Sequence, residues 1–189
     1  MADTRTRILD AAWESVLTNG VEALTLSAVA ESASVSRQAV YLHFRNRAGL
    51  LIAMARHQDT ASGFAERVAE TTALEPRDAF DALLRAWFDY LPQILPAARA
   101  LEAAAITGDE GAAAFDDRMQ EWRKVIRAAL RRVAGEQQLA HGWSTDAAAD
   151  WVWSRVHPST WERLVTERGW SRRRFERHTL GSLHRDLFG

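Results

Sequence analysis

Two short helical segments separated by three residues constrain what the N-terminal part of this chain can fold into. Thr25 has the features of a helix N-cap, and a short helix is predicted over 26–33. Ser34-Val35-Ser36 then interrupts the pattern, and either serine can cap a second segment of about two turns over 37–43. Two short helices joined by a tight turn form a helix-turn-helix unit.

Helical spacing of apolar residues continues through the rest of the chain, and few segments show the alternation that is typical of strands. A first helix is predicted over 4–18, ending at Asn19-Gly20. A long helix is predicted to begin at Arg47 and to run to about residue 71, whereas Pro92 and Pro96 are expected to break or restart a later helix. The sequence therefore predicts an all-α protein.

Composition excludes several classes of protein. The chain contains no Cys, which rules out disulfides, thiolate chemistry and Cys-ligated metal sites. No apolar run approaches the length of a membrane-spanning helix, so we expect a cytoplasmic protein without a membrane partner. The net charge of -1 argues against a protein that is basic all over. Between Ser32 and Arg56, however, every formal charge is positive, which is compatible with DNA binding by a small module.

The second short helix carries side chains that can read DNA. Arg37 can pair with guanine and Gln38 with adenine in a bidentate way, each contact contributing about 1–3 kcal/mol of discrimination. Tyr41 and His43 are better suited to phosphates, and Ala39, Val40 and Phe44 can pack inward. At the starts of the flanking helices, the side chains of Thr25 and Arg47 can clamp phosphates together with free backbone N–H groups. The alternative from spacing alone is an ordinary solvated helix face.

The order and spacing of these residues resemble the DNA-binding domain of the TetR family over about residues 5–55. The resemblance implies a homodimer that binds a palindromic operator in double-stranded DNA and leaves it when a small molecule enters the C-terminal domain. It also implies that the DNA-facing residues are Thr25, Ser36, Arg37, Gln38, Tyr41, His43 and Arg47. The segments that carry the resemblance are Ile8-Leu9-Asp10-Ala11-Ala12, Gly20-Val21-Glu22-Ala23-Leu24-Thr25-Leu26, Val29-Ala30, Val35-Ser36, Tyr41-Leu42-His43-Phe44 and Leu50-Leu51.

Three positions depart from the family pattern. Ser34 stands where a glycine is common in the turn, so an unusual backbone angle is less comfortable there. Ser27 stands where an arginine is frequent, which removes one potential DNA contact. Gly49 stands where a stronger helix former is common, and this is expected to weaken the start of the fourth helix by about 1 kcal/mol relative to Ala.

The last 45 or so residues also resemble a C-terminal pattern found in part of the family, in which the two final helices form a four-helix bundle with those of a second copy. Its carriers include Asp146-Ala147-Ala148-Ala149-Asp150, Pro158-Ser159 and Glu167-Arg168-Gly169-Trp170-Ser171. Six apolar residues are predicted to form the dimer interface, with closure of the monomer's own core as the alternative. These six are Trp161, Leu164, Val165, Phe175, Leu180 and Leu183.

Aromatic residues are frequent in the predicted helical body, where eight Trp residues occur in the chain as a whole. They can line a pocket for a largely apolar effector, or they can belong to an ordinary core. The candidate pocket residues are Trp87, Phe88, Phe115, Met119, Trp122 and Trp153, with Tyr90, Arg123 and His157 as polar residues that could orient a ligand.

The sequence shows neither a nucleophile paired with a base, nor a phosphate-binding loop, nor a cluster of metal ligands. We therefore expect no enzyme activity, no cofactor and no metal. The predicted architecture is an N-terminal three-helix helix-turn-helix domain at 1–46, followed by a helical ligand-binding and dimerisation domain at 47–189. Two functions remain open: a ligand-responsive DNA-binding regulator, most simply a repressor, and a helical binding module that kept the motif but lost operator affinity. Whether such a regulator activates or represses depends on operator placement.

Overall fold

The computed structural model describes residues 3–136 and 139–189, and at 105, 106 and 136 it describes the backbone only. The described part is helical and contains no strand, which confirms the predicted all-α class. No helix within it has the length and apolar character needed to cross a membrane. The helices are α1 (Thr4–Asn19), α2 (Leu26–Ser32), α3 (Arg37–Phe44), α4 (Arg47–Ala61), α5 (Phe64–Glu70), α6 (Pro76–Thr107), α7 (Gly111–Glu136), α8 (Thr145–Arg155), α9 (Pro158–Trp161) and α10 (Arg172–Phe188). A 3-10 turn (Thr71–Ala73) follows α5, and a π-helical segment (Glu162–Glu167) follows α9.

Two predicted helix boundaries are wrong. The helix beginning at Arg47 ends at Ala61 instead of continuing to about residue 71, because Gly63 adopts a left-handed φ of 72° before α5 begins. In contrast, α6 continues through Pro92 and Pro96 as one helix of 32 residues. An interior proline costs a helix about 3 kcal/mol. The neighbouring Leu91 and Leu95 are buried, and burial of such side chains at about 1.5–3 kcal/mol each can offset that cost.

The described residues form two compact units. One unit contains residues 3–62 and 96–119, and the other contains 63–95, 120–136 and 139–189. These units reflect packing and do not test the predicted functional division into 1–46 and 47–189, which stays a prediction.

In the first unit, α1 and α4 pack against each other through an apolar core. The apolar stripe of α1 contributes four buried residues at helical spacing, and α4 contributes a matching set near its N-terminus. This pair supports α2 and α3, which contact each other. The buried residues of α1 and α4 are Ile8, Leu9, Ala12, Val16, Leu50, Leu51, Met54 and Ala55.

Aromatic side chains hold much of the second unit together. The ring of Phe175 on α10 makes edge-on contacts with Trp161 at 4.9 Å and Phe88 at 5.3 Å between centroids. The indole N–H of Trp87 donates to the carbonyl oxygen of Val156 at 2.7 Å, where α8 ends. Contacts of buried aromatic side chains thus connect α6 with the end of α8 and with α10.

Candidate nucleic-acid interface

Side-chain caps begin both short helices of the helix-turn-helix. The hydroxyl oxygen of Thr25 accepts a hydrogen bond from the backbone N–H of Ala28 at 3.1 Å, and Ser36 does the same for Ala39 at 3.1 Å. Ser36, and not Ser34, is therefore the serine that caps α3. Because a hydroxyl that accepts a bond still carries its own proton, both caps remain able to donate to a phosphate oxygen.

The turn between α2 and α3 requires a left-handed residue. Ser34 occupies it with a φ of 53°, and the backbone N–H of Val35 donates back to the carbonyl of Ala30 at 2.9 Å. A residue with a Cβ is strained there by about 1–2 kcal/mol, which explains why glycine is common at this position in the family pattern. The departure at Ser34 changes the backbone energy without changing the turn.

Helix α3 is held by its inner face only. Val40 and Phe44 are its buried residues, and its N-terminal polar residues and Tyr41 are exposed. Six of the seven predicted DNA-facing residues are exposed on this part of the unit: Thr25, Ser36, Arg37, Gln38, Tyr41 and His43. Sequence reasoning gave no role to Leu42, whose side chain is 74% exposed.

The turn from α3 into α4 is tight. Arg45 has a φ of 62° and a ψ of -48°, and the N–H of Asn46 donates to the carbonyl of Phe44 at 2.7 Å, which closes a strained γ-turn. Asn46 then caps α4 by accepting from the N–H of Gly49 at 2.8 Å. A Cβ at position 49 would lie 2.5 Å from the carbonyl oxygen of Phe44. Glycine is therefore required here, although helix propensity alone predicts a benefit from Ala.

Arg47, the seventh predicted residue, is engaged inside the unit. Its Nε donates to the carbonyl of Leu24 at 2.8 Å, one terminal nitrogen donates to the carbonyl of Val21, and the other donates to Asp109 at 2.7 Å. Only 18% of its side chain is exposed. The guanidinium thereby joins the start of α4 to the α1–α2 loop and to the turn before α7.

An open groove with a volume of about 570 Å³ lies beside this arginine. Its walls mix the basic residues Arg37 and Arg47 with three acidic ones. The hydrogen bond from Arg47, together with a second from the backbone N–H of Gly111, holds the pKa of Asp109 below its usual range. The lining residues are Glu22, Leu24, Thr25, Leu26, Ser27, Arg37, Arg47, Gly108, Asp109 and Glu110.

The candidate pocket residues fall into different surroundings. Trp87 and Trp122 stack at 4.4 Å between ring centroids, next to Phe64, which stacks on Tyr90 at the same distance. Phe88 belongs instead to the cluster with Trp161 and Phe175. Phe115 and Met119 lie in the first compact unit, and both are buried. Trp153 is half-buried beside the ring of His157.

The polar candidates of the helical body have local partners. Arg123 forms an ion pair with Asp150, and this hydrogen bond raises the pKa of the guanidinium. His157 caps α9 through its ring nitrogen. Across residues 3–136 and 139–189, no group of three or more acidic or histidine side chains is arranged to hold a metal ion.

The six candidate interface residues also differ in burial. Trp161, Phe175, Leu180 and Leu183 are buried within the chain, so they contribute to the core of a single copy. Leu164 and Val165, on the π-helical segment, are half-buried. The part of the predicted interface that a second copy can reach directly is therefore this segment.

The family profile described as "Bacterial regulatory proteins, tetR family" matches residues 8–54, which span α1 to α4 as far as Met54. No curated protein matches the chain. The matched segment includes all seven predicted DNA-facing residues.

Solved structures resemble the chain over nearly its full length. A TetR-family transcriptional regulator from Rhodococcus sp. superposes with a TM-score of 0.80 at 22% identity, covering 99% of this chain and 100% of that one. NalD, the secondary repressor of the MexAB-OprM multidrug efflux pump in Pseudomonas aeruginosa, has a TM-score of 0.68 at 25% identity, covering 97% and 96%. A transcriptional regulator from Saccharomonospora viridis in complex with choline has a TM-score of 0.72 at 16% identity, covering 97% and 96%.

Proposed function

Because this chain is a DNA-binding transcriptional regulator of the TetR family, we propose that it acts in the cytoplasm as a homodimeric repressor. In this proposal it binds a palindromic operator and leaves it when a small molecule binds its helical body. Its two-fold symmetry would match the symmetry of the operator, with one α3 in each half-site. Catalysis has no part in the proposal.

The observation that best supports this proposal is the way in which α3 packs on the core and exposes its outer face. Two buried residues and a side-chain cap fix the helix on the α1–α4 core, and its outer face carries several hydrogen-bond donors that project into solvent. A helix presented in this way fits the major groove of B-DNA, which is about 12 Å wide. We propose that Arg37 and Gln38 read bases, whereas Thr25, Ser36, Tyr41 and His43 contact phosphates.

We keep Arg47 in the proposed DNA-binding site and propose that it also has a structural role. Its three bonds to Leu24, Val21 and Asp109 support a role in holding the frame of the site. A phosphate contact by the same guanidinium requires exchange of at least one of these partners. The carboxylate of Asp109 is the natural one to exchange, because phosphate carries the same charge.

DNA binding is tested with the fragment upstream of the protein's own gene. Fluorescence anisotropy at several salt concentrations gives both the affinity and the salt slope. Arg37→Ala should relax sequence preference, and Arg47→Ala should weaken binding evenly across sequences. If the parent protein binds specific and scrambled fragments alike, the second candidate function, a helical module without operator affinity, replaces this one.

The proposed effector is largely apolar, and the stacked Trp87 and Trp122 support this. Trp122 is only 4% exposed, and its indole nitrogen is buried without a hydrogen-bond partner among the described residues. Buried donors without partners are rare in folded proteins. An apolar molecule carrying a carbonyl or ether oxygen would fit both the aromatic rings and this N–H group.

Thermal-shift screening of apolar and cationic compounds tests the effector, followed by release of labelled operator. A compound that raises the melting temperature and releases DNA supports the proposal. Trp122→Phe keeps an aromatic ring but removes the N–H, so it should weaken the response to compounds that carry an acceptor more than the response to pure hydrocarbons.

Dimerisation is tested by analytical ultracentrifugation. Leu164→Glu and Val165→Glu place a charge on the half-buried segment without entering the core. The parent should sediment as a dimer and the variants as monomers. A monomeric parent at micromolar concentration contradicts this part of the proposal.

A further inference from the structure

Leu42 is an apolar side chain in a conspicuous place. Four large hydrophobic side chains are exposed within the described residues, and Leu42 is the most exposed of them at 74%, followed by Tyr41 at 60%. Both lie on α3. A single exposed leucine is common on protein surfaces. What distinguishes Leu42 is its position on the helix that is proposed to enter the major groove.

The helix period places Leu42 at the centre of the outer face. With 3.6 residues per turn, a residue two positions from both Val40 and Phe44 lies about 160° around the helix from each. Because Val40 and Phe44 are the buried residues of α3, Leu42 points most directly away from the core. Gln38, four residues earlier, lies on the same face and is also exposed.

The charges around this face select the partner. Arg37 on α3 and Arg45 just after it are exposed cations, whereas Arg47 and Arg56 are paired with Asp109 and Asp117. Such a surface repels a basic partner and attracts a polyanion, so the surroundings of Leu42 favour DNA over a second apolar protein surface. In the major groove, thymine is the base that presents an apolar group, its C5-methyl.

We propose that Leu42 determines specificity by packing against the C5-methyl group of a thymine, beside an adenine that Gln38 reads. The inference rests on the operator recognition proposed above. Gln38 and Leu42 are neighbours at i and i+4, and an adenine in one strand stands opposite a thymine in the other. In this arrangement the amide of Gln38 hydrogen-bonds to the adenine, and the side chain of Leu42 contacts the C5-methyl group of the thymine.

The test isolates one methyl group. The full-length protein selects its operator from random double-stranded DNA, and each thymine of that operator is then replaced singly by deoxyuridine, which lacks only the C5-methyl. At one thymine per half-site the affinity should fall by about fourfold, the loss expected for one buried methyl-sized group. The salt slope should not change, because no phosphate contact is lost.

A double-mutant cycle that combines Leu42→Ala with the uracil substitution tests whether Leu42 makes the contact with the thymine methyl group. Leu42→Ala removes the contact from both half-sites, so it should bind the thymine operator about as weakly as the parent binds an operator with uracil at the critical position of both half-sites, and uracil should cost this variant nothing more. Leu74→Ala is the matched control, because Leu74 is 43% exposed and lies outside α3. Both leucines are exposed, so unchanged circular dichroism and melting temperature are expected for both variants.

The outcomes separate this inference from the proposed function. If the protein selects no sequence at all, operator recognition fails and the inference fails with it. If it selects an operator whose affinity is unchanged by uracil at every thymine, or if the uracil effect persists in full in Leu42→Ala, the inference alone is overturned. Loss of self-association in Leu42→Ala, together with an operator insensitive to uracil, would assign the leucine to a protein contact instead.

Discussion

Arg47 and Asp109 are 62 residues apart in the sequence, and their side chains meet at 2.7 Å. Asp109 also accepts from the backbone N–H of Gly111 at 2.7 Å, so one carboxylate both orders the start of α7 and occupies the arginine at the start of α4. The side chains are 18% and 25% exposed, which places the pair at the edge of solvent. A phosphate arriving at the groove meets an arginine that already has an anionic partner.

Removing the charge of Asp109 should therefore strengthen DNA binding. Asp109→Asn releases Arg47 for a phosphate, so we expect tighter binding to any duplex and a salt slope steeper by about 0.9 for each DNA-bound subunit. Glu110→Gln is the matched control, because it removes the same charge from a residue that lies 4.0 Å from Arg47 and is 56% exposed. Equal effects of the two variants in anisotropy titrations would indicate a general effect of the protein's charge on DNA binding. They would argue against competition between Asp109 and a phosphate for Arg47.

Asp109 should also make stability depend on pH in the acid range. Its folded pKa is lowered mainly by the hydrogen bond from Arg47. The stabilisation is therefore fully present above the unfolded pKa of about 4 and is lost as pH falls through the lowered folded pKa. Urea unfolding should show parent and Asp109→Asn differing by about 1–2 kcal/mol at neutral pH and converging as the pH falls below about 4 and through the lowered folded pKa of Asp109. A difference that stays constant over that range would contradict the assignment.

Ser34→Gly should stabilise the protein. Glycine relieves the left-handed strain at this turn, worth about 1–2 kcal/mol, and this outweighs the extra freedom that it gives to the unfolded chain, about 0.5–1 kcal/mol. Ser36→Gly, two residues later, should have no such benefit because it removes the cap of α3. Melting temperatures of the two variants are compared directly, and a Ser34→Gly variant less stable than the parent would show that the serine side chain matters more than the backbone angle.

Gly49→Ala should destabilise the protein despite the better helix propensity of alanine. The new Cβ would meet the carbonyl oxygen of Phe44 at 2.5 Å, a contact that can only be relieved by shifting α3 or α4. We expect a loss of more than about 1 kcal/mol, together with weaker operator binding. Gly135→Ala near the end of α7 is the control: its Cβ would meet nothing within 4 Å, so a gain of about 0.5–1 kcal/mol is expected. Similar gains for both would refute the steric argument.

Local features of this fold were predictable from the sequence because they depend on neighbours in the chain. Thr25 and Asn46 cap the helices that their residue types indicate. The continuation of α6 through Pro92 and Pro96 was not predictable, because it depends on which distant residues bury Leu91 and Leu95. The need for Gly49 was not predictable from helix propensity, because the tight turn at Arg45 brings the carbonyl oxygen of Phe44 against position 49.

In the candidate site, too, some features were predictable from the sequence and others depend on distant residues. The exposed positions of α3 follow from its period, and Arg37, Gln38 and Tyr41 have the predicted exposure. The engagement of Arg47 could not be foreseen, since its acidic partner follows α6, far along the chain. The inward packing of Val40 and Phe44 agrees with the prediction, whereas the large exposure of Leu42 on the opposite side was not predicted.

Because Val40 and Phe44 alone anchor α3 in the core, the outer residues of this helix can be exchanged with little cost to folding. Mutations at positions 37, 38 and 42 can accumulate in any order, each tested by selection for what it binds and scarcely for whether the protein folds. A gene duplication that left this scaffold intact would thus have a short path to a new operator. The same property makes the helix face a suitable site for grafting the specificity of another regulator.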